Sequence, residues 1–162
     1  MQIAPLKGSV ARVHAAMQAA GLPVDILRFP ESTRSAEDAA AAVGCSVAEI
    51  AKSLVFHATE SDRPALVIAS GVNRVDPERV AALVGEPLAR ADGRFVRART
   101  GFAIGGVAPF GHKETPLIVI DRDLLAFEAV WAAAGAPDAV VRIESARLVE
   151  LTGGFVAQVK AG

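Results

Sequence analysis

The chain has 162 residues, 52% of them hydrophobic and 22% charged, which is typical of a single globular domain with its own core. Its net charge of −1 argues against a dedicated, strongly electrostatic nucleic-acid binder, and no apolar run is long enough to cross a membrane. The single cysteine, Cys45, excludes an internal disulfide and indicates a reducing, cytoplasmic location. Cys45 and the three histidines lack the spacing of metal ligands, so we expect no metal site.

Apolar periodicity and capping residues predict short helices interleaved with short strands in the first hundred residues. Capping signals are clearest at Ser35, at the Ser46–Glu49 capping box and at Asp76, which precedes a proline. In chain order the pattern predicts a helix over 8–20, a strand over 24–29, helices over 35–43 and from 46, strands over 53–58 and 65–70, and helices over 76–84 and 92–100.

The rest of the chain predicts a buried strand over 117–120, a partly helical stretch over 121–131, a strand over 139–143 and a last helix over 145–151 capped by Ser145. Helices and strands alternate, and the two middle strands are close enough in sequence to pair as a hairpin. We therefore expect a mixed α/β or α+β fold, with a central sheet and helices outside it. Residues 1–162 would form this one domain, and the sequence leaves the strand order open.

A lysine opens the apolar strand that follows the short helix predicted from Ser46. Lys52 either extends its ammonium group past the sheet edge into water or directs it into a pocket. In a pocket, a partly desolvated ammonium group can hold a phosphate or a developing negative charge. The residues alone leave both interpretations open.

A second unusual segment is the glycine-rich loop over 105–109, which ends in a proline. Its glycines leave backbone N–H groups uncovered by side chains, so the loop can form an oxyanion hole or an anion-binding nest. The alternative is a tight turn in which glycine supplies a positive φ. Neither GxxxxGK[ST] nor GxGxxG occurs, so a nucleotide-phosphate loop has no support.

Other catalytic patterns are weak. Ser53 and Ser70 lie in no GxSxG motif, and nothing suggests a nucleophilic triad. We interpret Cys45 and His57 as structural residues, and His112 is the one histidine expected near a site because it lies beside the glycine loop.

Arginines cluster just before the glycine loop, at positions 90, 94, 97 and 99. If 92–100 is helical, Arg90, Arg94 and Arg97 fall near one face at spacings of four and three residues. Such a cluster is either a solvated helix face or a set of contacts to nucleic-acid phosphates.

Several motifs occur in a fixed order over residues 24–151. They are Lys52-Ser53-Leu54 after a short helix, Ala69-Ser70-Gly71 at a strand end, Thr100-Gly101 leading into the GxxxP loop Gly105–Pro109, Ile118–Asp121 at the end of a buried strand, and Gly135 in a later turn. In this order the set resembles the YbaK family, the editing domains associated with prolyl-tRNA synthetase.

The resemblance implies a compact α/β domain with a barrel-like mixed sheet. It also implies a free-standing, trans-editing hydrolase that removes a wrong amino acid from the 3′-terminal ribose of a tRNA, usually tRNA for proline. Such a protein uses no metal or cofactor and does not bind a membrane. Its partners would be the mischarged tRNA and, as a further candidate, prolyl-tRNA synthetase.

Carried onto this chain, the resemblance makes Lys52 the essential lysine, in contact with the terminal nucleotide. Gly105 and the following backbone would fix the aminoacyl carbonyl or its attacking water, and a ribose hydroxyl of the tRNA would assist. The substrate-binding residues implied are Thr33, Ser35, Ser53, Gly106, Pro109, Ala133, Ala134 and Gly135, and the candidates for tRNA phosphates are Arg94, Arg97 and Arg99.

The amino acid removed is inferred from the late turn. Family members that remove cysteine carry a polar residue there, whereas this chain has Ala133 and Ala134. Small residues make a size filter, so we expect alanine, 2-aminobutyrate or serine as the substrate, with a deacylase for cysteine on tRNA for proline as the alternative.

Two other classes of function stay open. One is a non-catalytic module that binds tRNA ends or a synthetase, and the other is a hydrolase of small esters unrelated to tRNA. Because a pure binding module does not need a carbonyl-gripping site, the presence of both Lys52 and the GxxxP loop favours the enzyme.

Overall fold

The computed structural model describes residues 8–23, 25–31, 33 and 35–162. In that part of the chain, five helices and two 3-10 turns accompany one eight-stranded mixed sheet. The helices are α1 (Gly8–Ala19), α2 (Ala36–Val43), α3 (Pro77–Val84), α4 (Gly93–Thr100) and α5 (Ser145–Thr152), and the 3-10 turns are Val47–Glu49 and Arg122–Ala126. The strands are β1 (Ile26–Arg28), β2 (Ile50–Ala58), β3 (Arg63–Ser70), β4 (Leu88–Arg90), β5 (Leu117–Asp121), β6 (Ala129–Ala133), β7 (Ala139–Glu144) and β8 (Phe155–Ala157).

The sheet places β2 at its centre. The strand order is β1-β7-β6-β2-β3-β5-β8, and β4 pairs with the far end of β2. β2 and β3 form the expected antiparallel hairpin, while β2 pairs with β6, and β3 with β5, in parallel. The mixed α/β fold is confirmed. None of the helices in the described residues is both long and apolar enough to cross a membrane.

Strand β3 shows how the alternating sequence divides the core. Leu66 and Ile68 face one apolar cluster, which includes Phe102 and residues of α1 and α5. Val67 and Ala69 face a second cluster, which includes Val80 of α3. All four side chains are buried, and burying a Leu, Ile or Val contributes about 1.5–3 kcal/mol to folding. The sheet is therefore covered on both faces around the start of β2.

The predicted caps explain where the helices begin and end. The Ser35 hydroxyl accepts from Asp38 N at 3.1 Å, and Gly44 ends α2 in the left-handed region at φ 78°. Asp92 accepts from Phe95 N at 2.8 Å, and Gly101 ends α4 at φ 82°. Each cap satisfies a backbone group that the helix itself leaves unpaired.

Several predicted boundaries were wrong. The stretch over 121–131 is a 3-10 turn followed by strand β6, and the short strands β4 and β8 were missed. Ser145 is the first residue of α5 and not its cap, since its hydroxyl donates instead to Leu124 O and Phe127 O at 3.2 and 2.6 Å. β1 covers the middle of the strand predicted over 24–29, of which Val24 lies outside the described residues.

Candidate active site

A cavity of about 260 Å³ opens where the start of β2 meets β6, β7, α2 and the glycine loop. Its lining is mostly small or apolar. The described residues that line it are Thr33, Ser35, Ala36, Ala39, Ile50, Ala51, Lys52, Ser53, Leu54, Gly105, Val107, Trp131, Ala132, Ala133, Pro137, Ala139 and Val140. No carboxylate or imidazole is among them. The cavity thus brings together the predicted lysine, loop and late turn.

Lys52 is the one charged side chain among those lining residues. The capping box closes on itself, with Ser46 N donating to Glu49 Oε1 at 3.1 Å, and β2 starts at the next residue. Lys52 is therefore the third residue of a strand paired on both sides, and its backbone is firmly placed. Its side chain is half-buried and makes no hydrogen bond or ion pair with any described residue. A cation held in this way is available to a ligand.

Two residues of the glycine loop, Gly105 and Val107, line the same cavity. Gly105 has φ +91°, a conformation that favours glycine, and Gly106 N donates to Ala103 O at 3.0 Å. Within the described residues, the N–H groups of Gly105 and Val107 donate to no protein acceptor. Both residues line the cavity, so the loop offers uncommitted donors beside Lys52.

Close packing against the late turn (residues 134–138) fixes the position of the loop. A Cβ added to Gly106 would lie 2.7 Å from Ala136 Cα, so only glycine fits there. Gly106 and Pro109 are buried and do not line the cavity. These two predicted substrate-binding residues support the loop instead of forming the cavity wall.

The late turn is held from two sides. Ser9 on α1 donates to Gly135 O at 2.6 Å, and Thr33 donates to Pro137 O through both its N–H and its hydroxyl, at 3.1 and 2.9 Å. Of the predicted turn residues, Ala133 lines the cavity, while Ala134 and Gly135 are buried behind it. Pro137 forms the part of the cavity wall that was expected of Ala134 and Gly135.

The three predicted hydroxyls differ in their hydrogen bonds. Those of Thr33 and Ser35 are engaged, with Pro137 O and Asp38 N respectively. The Ser53 hydroxyl is buried and has no hydrogen-bond partner among the described residues. Because a buried polar group without a partner is costly, this hydroxyl is the one placed to bind a ligand.

The base of the loop is clamped by Arg12 on α1. Its guanidinium donates to Gly111 O at 2.7 Å and Thr100 O at 3.4 Å, and it lies 4.5 Å from the centre of the Phe102 ring. His112 packs edge-on against the same ring and binds Ala108 O through Nε2 at 2.6 Å. Burial lowers the pKa of His112, which holds the loop from outside the cavity.

The arginine cluster divides into two kinds of residue. Arg94 and Arg97 are exposed on α4 and form no ion pair with a described residue. Arg99 is half-buried, pairs with Asp62 at 2.9 Å and Glu114 at 3.3 Å, and lies over Phe95. Arg90 belongs to β4, so it does not share a helix face with the others as predicted. The Arg99 side chain therefore has a structural role.

Three other residues named in the sequence analysis make contacts within the protein and do not line the cavity. Cys45 donates to Ser46 O at 3.3 Å, and partial burial raises its pKa. His57 pairs with Asp62 at 2.7 Å. Asp121 accepts from Ser70 N and Asp123 N, both at 3.0 Å, which ties β3 to the 3-10 turn after β5.

Sequence reasoning missed the largest ring of the cavity and the proline opposite it. Trp131 and Pro137 both line the cavity, but Trp131 lies in a strand that was predicted to be partly helical. The one tryptophan of a chain with so few aromatic residues was the available signal. Pro137 carried a weaker signal, a proline two residues after Gly135.

Through a cation and backbone amides that have no partner among the described residues, the site can bind a carbonyl oxygen or an anionic oxygen. A family model described as the aminoacyl-tRNA editing domain matches residues 30–151. The chain belongs to this aminoacyl-tRNA editing domain family, which confirms the resemblance drawn from its motifs.

Three similar proteins each match between 79% and 98% of this chain. The uncharacterized protein YwhH of Bacillus subtilis (strain 168) is 31% identical over 128 residues, which are 79% of this chain and 81% of that protein. A solved structure described as a "putative trans-editing enzyme for prolyl tRNA synthetase" is 43% identical with a TM-score of 0.91, covering 98% of this chain and all of that one. The structure of hypothetical protein APE2540 is 31% identical with a TM-score of 0.85, covering 93% and 99%.

Proposed function

We propose that the protein is a trans-editing hydrolase that deacylates mischarged aminoacyl-tRNA. Its proposed substrate is tRNA for proline carrying alanine, 2-aminobutyrate or serine. The observation that carries the proposal is that one small cavity holds an ammonium group, backbone amides and a hydroxyl, none of which has a partner among the described residues. The family and the similarity to a protein described as a trans-editing enzyme for prolyl tRNA synthetase support it.

The reaction is ester hydrolysis. A water oxygen attacks the acyl carbon, the carbonyl oxygen becomes an oxyanion, and the bond from the acyl carbon to the ribose oxygen then breaks. The ribose oxygen takes up one proton of the attacking water, the other proton is released to solvent, and the amino acid leaves as a carboxylate. The N–H groups of Gly105 and Val107 are the donors proposed for the oxyanion, and one such donor contributes about 2.7–4 kcal/mol in a hydrolase.

Proton transfer needs a group that the cavity lining does not supply, because the described lining has no carboxylate or imidazole. We assign this step to the neighbouring hydroxyl of the tRNA's own terminal ribose, which relays the proton of the attacking water. Lys52 then has an electrostatic role, holding the terminal nucleotide and the charge that develops beside it.

Selection of the amino acid rests on the size of the cavity. Ala39, Ala132 and Ala133 leave room for a small side chain, and Trp131 and Pro137 limit its extent. A pocket of this kind discriminates by about 1–3 kcal/mol per methylene, and more where a larger group is excluded sterically. The apolar lining favours alanine and 2-aminobutyrate, and the Ser53 hydroxyl is the group that would favour serine or cysteine.

A deacylation time course tests the proposal. We would charge tRNA for proline separately with Ala, 2-aminobutyrate, Ser, Cys and Pro, and incubate each with the wild type, Lys52→Ala and Lys113→Ala. Lys113 is exposed and lies outside the cavity, so its variant is the matched control. We expect rapid loss of one small amino acid, no loss of proline, and an effect of the Lys52 change alone.

Two outcomes would overturn the proposal. If no charged tRNA is deacylated while tRNA binds, the protein is a binding module. If Lys52→Ala retains full activity, the cavity is not the active site. Copurification with prolyl-tRNA synthetase would test the second expected partner separately.

A further inference from the structure

An ion pair fixes the side of the late turn that faces β1. Arg28, the last residue of β1, donates through Nη2 to both carboxylate oxygens of Asp138, at 2.8 and 2.9 Å. Only 22% and 27% of the two side chains are exposed. A pair buried to this degree is screened less than one on the surface, and breaking it leaves a charge without its partner. The contact is therefore a strong restraint on Asp138.

The backbone around the pair adds to this restraint. Phe29 N donates to Asp138 O at 2.8 Å, and Arg28 is paired with Ala139 in the register of β1 and β7. Asp138 is thus bound through its side chain and its carbonyl by two consecutive residues of the chain. A movement of Asp138 away from β1 would break these contacts together.

Pro137, the residue before Asp138, transmits the restraint to the cavity. It lines the cavity, and a Cβ added to Gly105 would lie 3.6 Å from Pro137 Cγ. Because the ring of proline fixes φ, Pro137 has little freedom to absorb a displacement of its neighbour. The position of Asp138 therefore determines where this part of the cavity wall lies.

We propose that Arg28 and Asp138 are positioning residues that set the size limit of the amino-acid cavity. Neither residue lines the cavity, so both act through Pro137. The inference rests on the proposed function, because a size limit affects the reaction only if the cavity holds the substrate's amino acid. With the pair intact, Pro137 stays against Gly105 and excludes proline. Without the pair, the turn can move outward and admit it.

Substrate selectivity gives the first test. We would measure kcat/KM for tRNA for proline charged with alanine and with proline, using the wild type, Arg28→Met, Asp138→Asn and the double variant. Methionine keeps the length of the arginine stem and asparagine keeps the shape of aspartate, so each change removes a charge with little change in volume. A rigid pocket discriminates about 10- to 200-fold per methylene, so we expect the alanine-to-proline ratio to fall about tenfold in each single variant.

Two further variants show whether the residues act as a pair. The double variant should lose no more selectivity than either single variant, since the interaction is already absent. Arg28→Lys should recover most of the ratio, because a single nitrogen makes both contacts with the carboxylate. Losses that multiply in the double variant would show that the two residues act independently, and would overturn the proposal.

The control for a purely structural effect is Arg147→Met. Arg147 pairs with Glu150 on α5 at 3.1 Å, and neither residue lines the cavity. The same substitution therefore breaks an ion pair elsewhere, and it should leave the alanine-to-proline ratio unchanged. If Arg28→Met and Asp138→Asn lower both kcat/KM values by one common factor, the pair supports the fold alone and the proposal is wrong.

Hydrogen exchange tests the positioning without catalysis. Ala134 N donates to Ala139 O at 2.8 Å and Ala139 N to Ala136 O at 3.0 Å, so these two amides report opening of the late turn. Relative to the amides of β3, both should exchange faster in Arg28→Met than in Arg147→Met. Unchanged exchange would refute the positioning role while leaving the deacylase intact. If the wild type deacylates no charged tRNA, the deacylase proposal fails, and hydrogen exchange alone decides whether the pair holds the turn.

Discussion

Replacing Ser53 by alanine should make the protein more stable and less active. The Ser53 hydroxyl is buried without a partner among the described residues, whereas alanine keeps the same Cβ in the same place on β2. A buried hydroxyl without a hydrogen bond costs about 1–3 kcal/mol. We therefore expect Ser53→Ala to raise the free energy of unfolding by about 1 kcal/mol, and the Tm of a domain of this size by about 2–4 °C.

Activity should change in the opposite direction. If the hydroxyl binds the substrate, its loss removes one neutral hydrogen bond of about 0.5–1.5 kcal/mol and lowers kcat/KM for deacylation about 2- to 12-fold. Urea denaturation at fixed pH measures the stability, and the deacylation time course measures the activity.

The matched control is Ser70→Ala on the neighbouring strand β3. The Ser70 hydroxyl donates to Ala48 O at 2.8 Å, so its removal leaves a carbonyl oxygen unsatisfied and should destabilise the protein by about 1–3 kcal/mol. Replacing serine by alanine should thus raise the free energy of unfolding at Ser53 and lower it at Ser70, on neighbouring strands of one hairpin. If Ser53→Ala lowers stability by as much as Ser70→Ala, the Ser53 hydroxyl is hydrogen-bonded in the folded protein and the reasoning fails.

The packing of the loop and the charges on α4 give two further predictions. Gly106→Ala should lower the free energy of unfolding by about 1–3 kcal/mol, because the added Cβ meets the backbone of the late turn. The control is Gly93→Ala, whose Cβ meets only a side chain at 3.7 Å and should leave the stability unchanged. Thermal melts of both variants measure this difference, and a Gly106→Ala variant as stable as the wild type would contradict the packing argument. Replacing Arg94 and Arg97 together by alanine should weaken tRNA binding and reduce the salt slope of log K by about 0.7 for each single-strand phosphate that the variant no longer neutralises. Arg99→Ala should mainly lower stability, and a salt slope that changes only in Arg99→Ala would reverse this assignment.

Local sequence signals predicted the elements that depend on local chemistry. Helices α2, α3 and α4 were placed within a residue because a capping residue begins each one and a left-handed glycine ends it. The hairpin of β2 and β3 followed from two apolar runs close in sequence. These features depend on residues that are near one another in sequence.

Elements held by distant partners could not be predicted in the same way. β4 and β8 have three residues each, and the residues they pair with lie 30 to 34 positions away in sequence for β4 (Ala58 with Leu88, Phe56 with Arg90) and 36 positions away for β8 (Val119 with Phe155). β6 forms because it pairs with both β2 and β7, although its own sequence is rich in alanine. Tertiary pairing overrides weak local propensity in such strands.

The candidate site was predicted in part, for a related reason. Lys52 and Gly105 could be found from their local motifs, but which face of a turn meets the cavity depends on the packing beneath it. Ala134 and Gly135 are therefore buried while Pro137 forms the wall. A further cavity of about 470 Å³ beside the glycine loop had no motif, because its lining residues come from five separate segments of the chain.

The contacts made by α1 have a practical consequence for moving this domain into another protein. Ser9 holds the late turn and Arg12 holds the base of the loop, yet α1 precedes the segment over 30–151 that matches the family model. A graft limited to that segment would carry every cavity-lining residue and lose both restraints. The transferable unit is thus larger than the region of detectable similarity, and a fusion that keeps α1 should retain the geometry that a shorter one gives up.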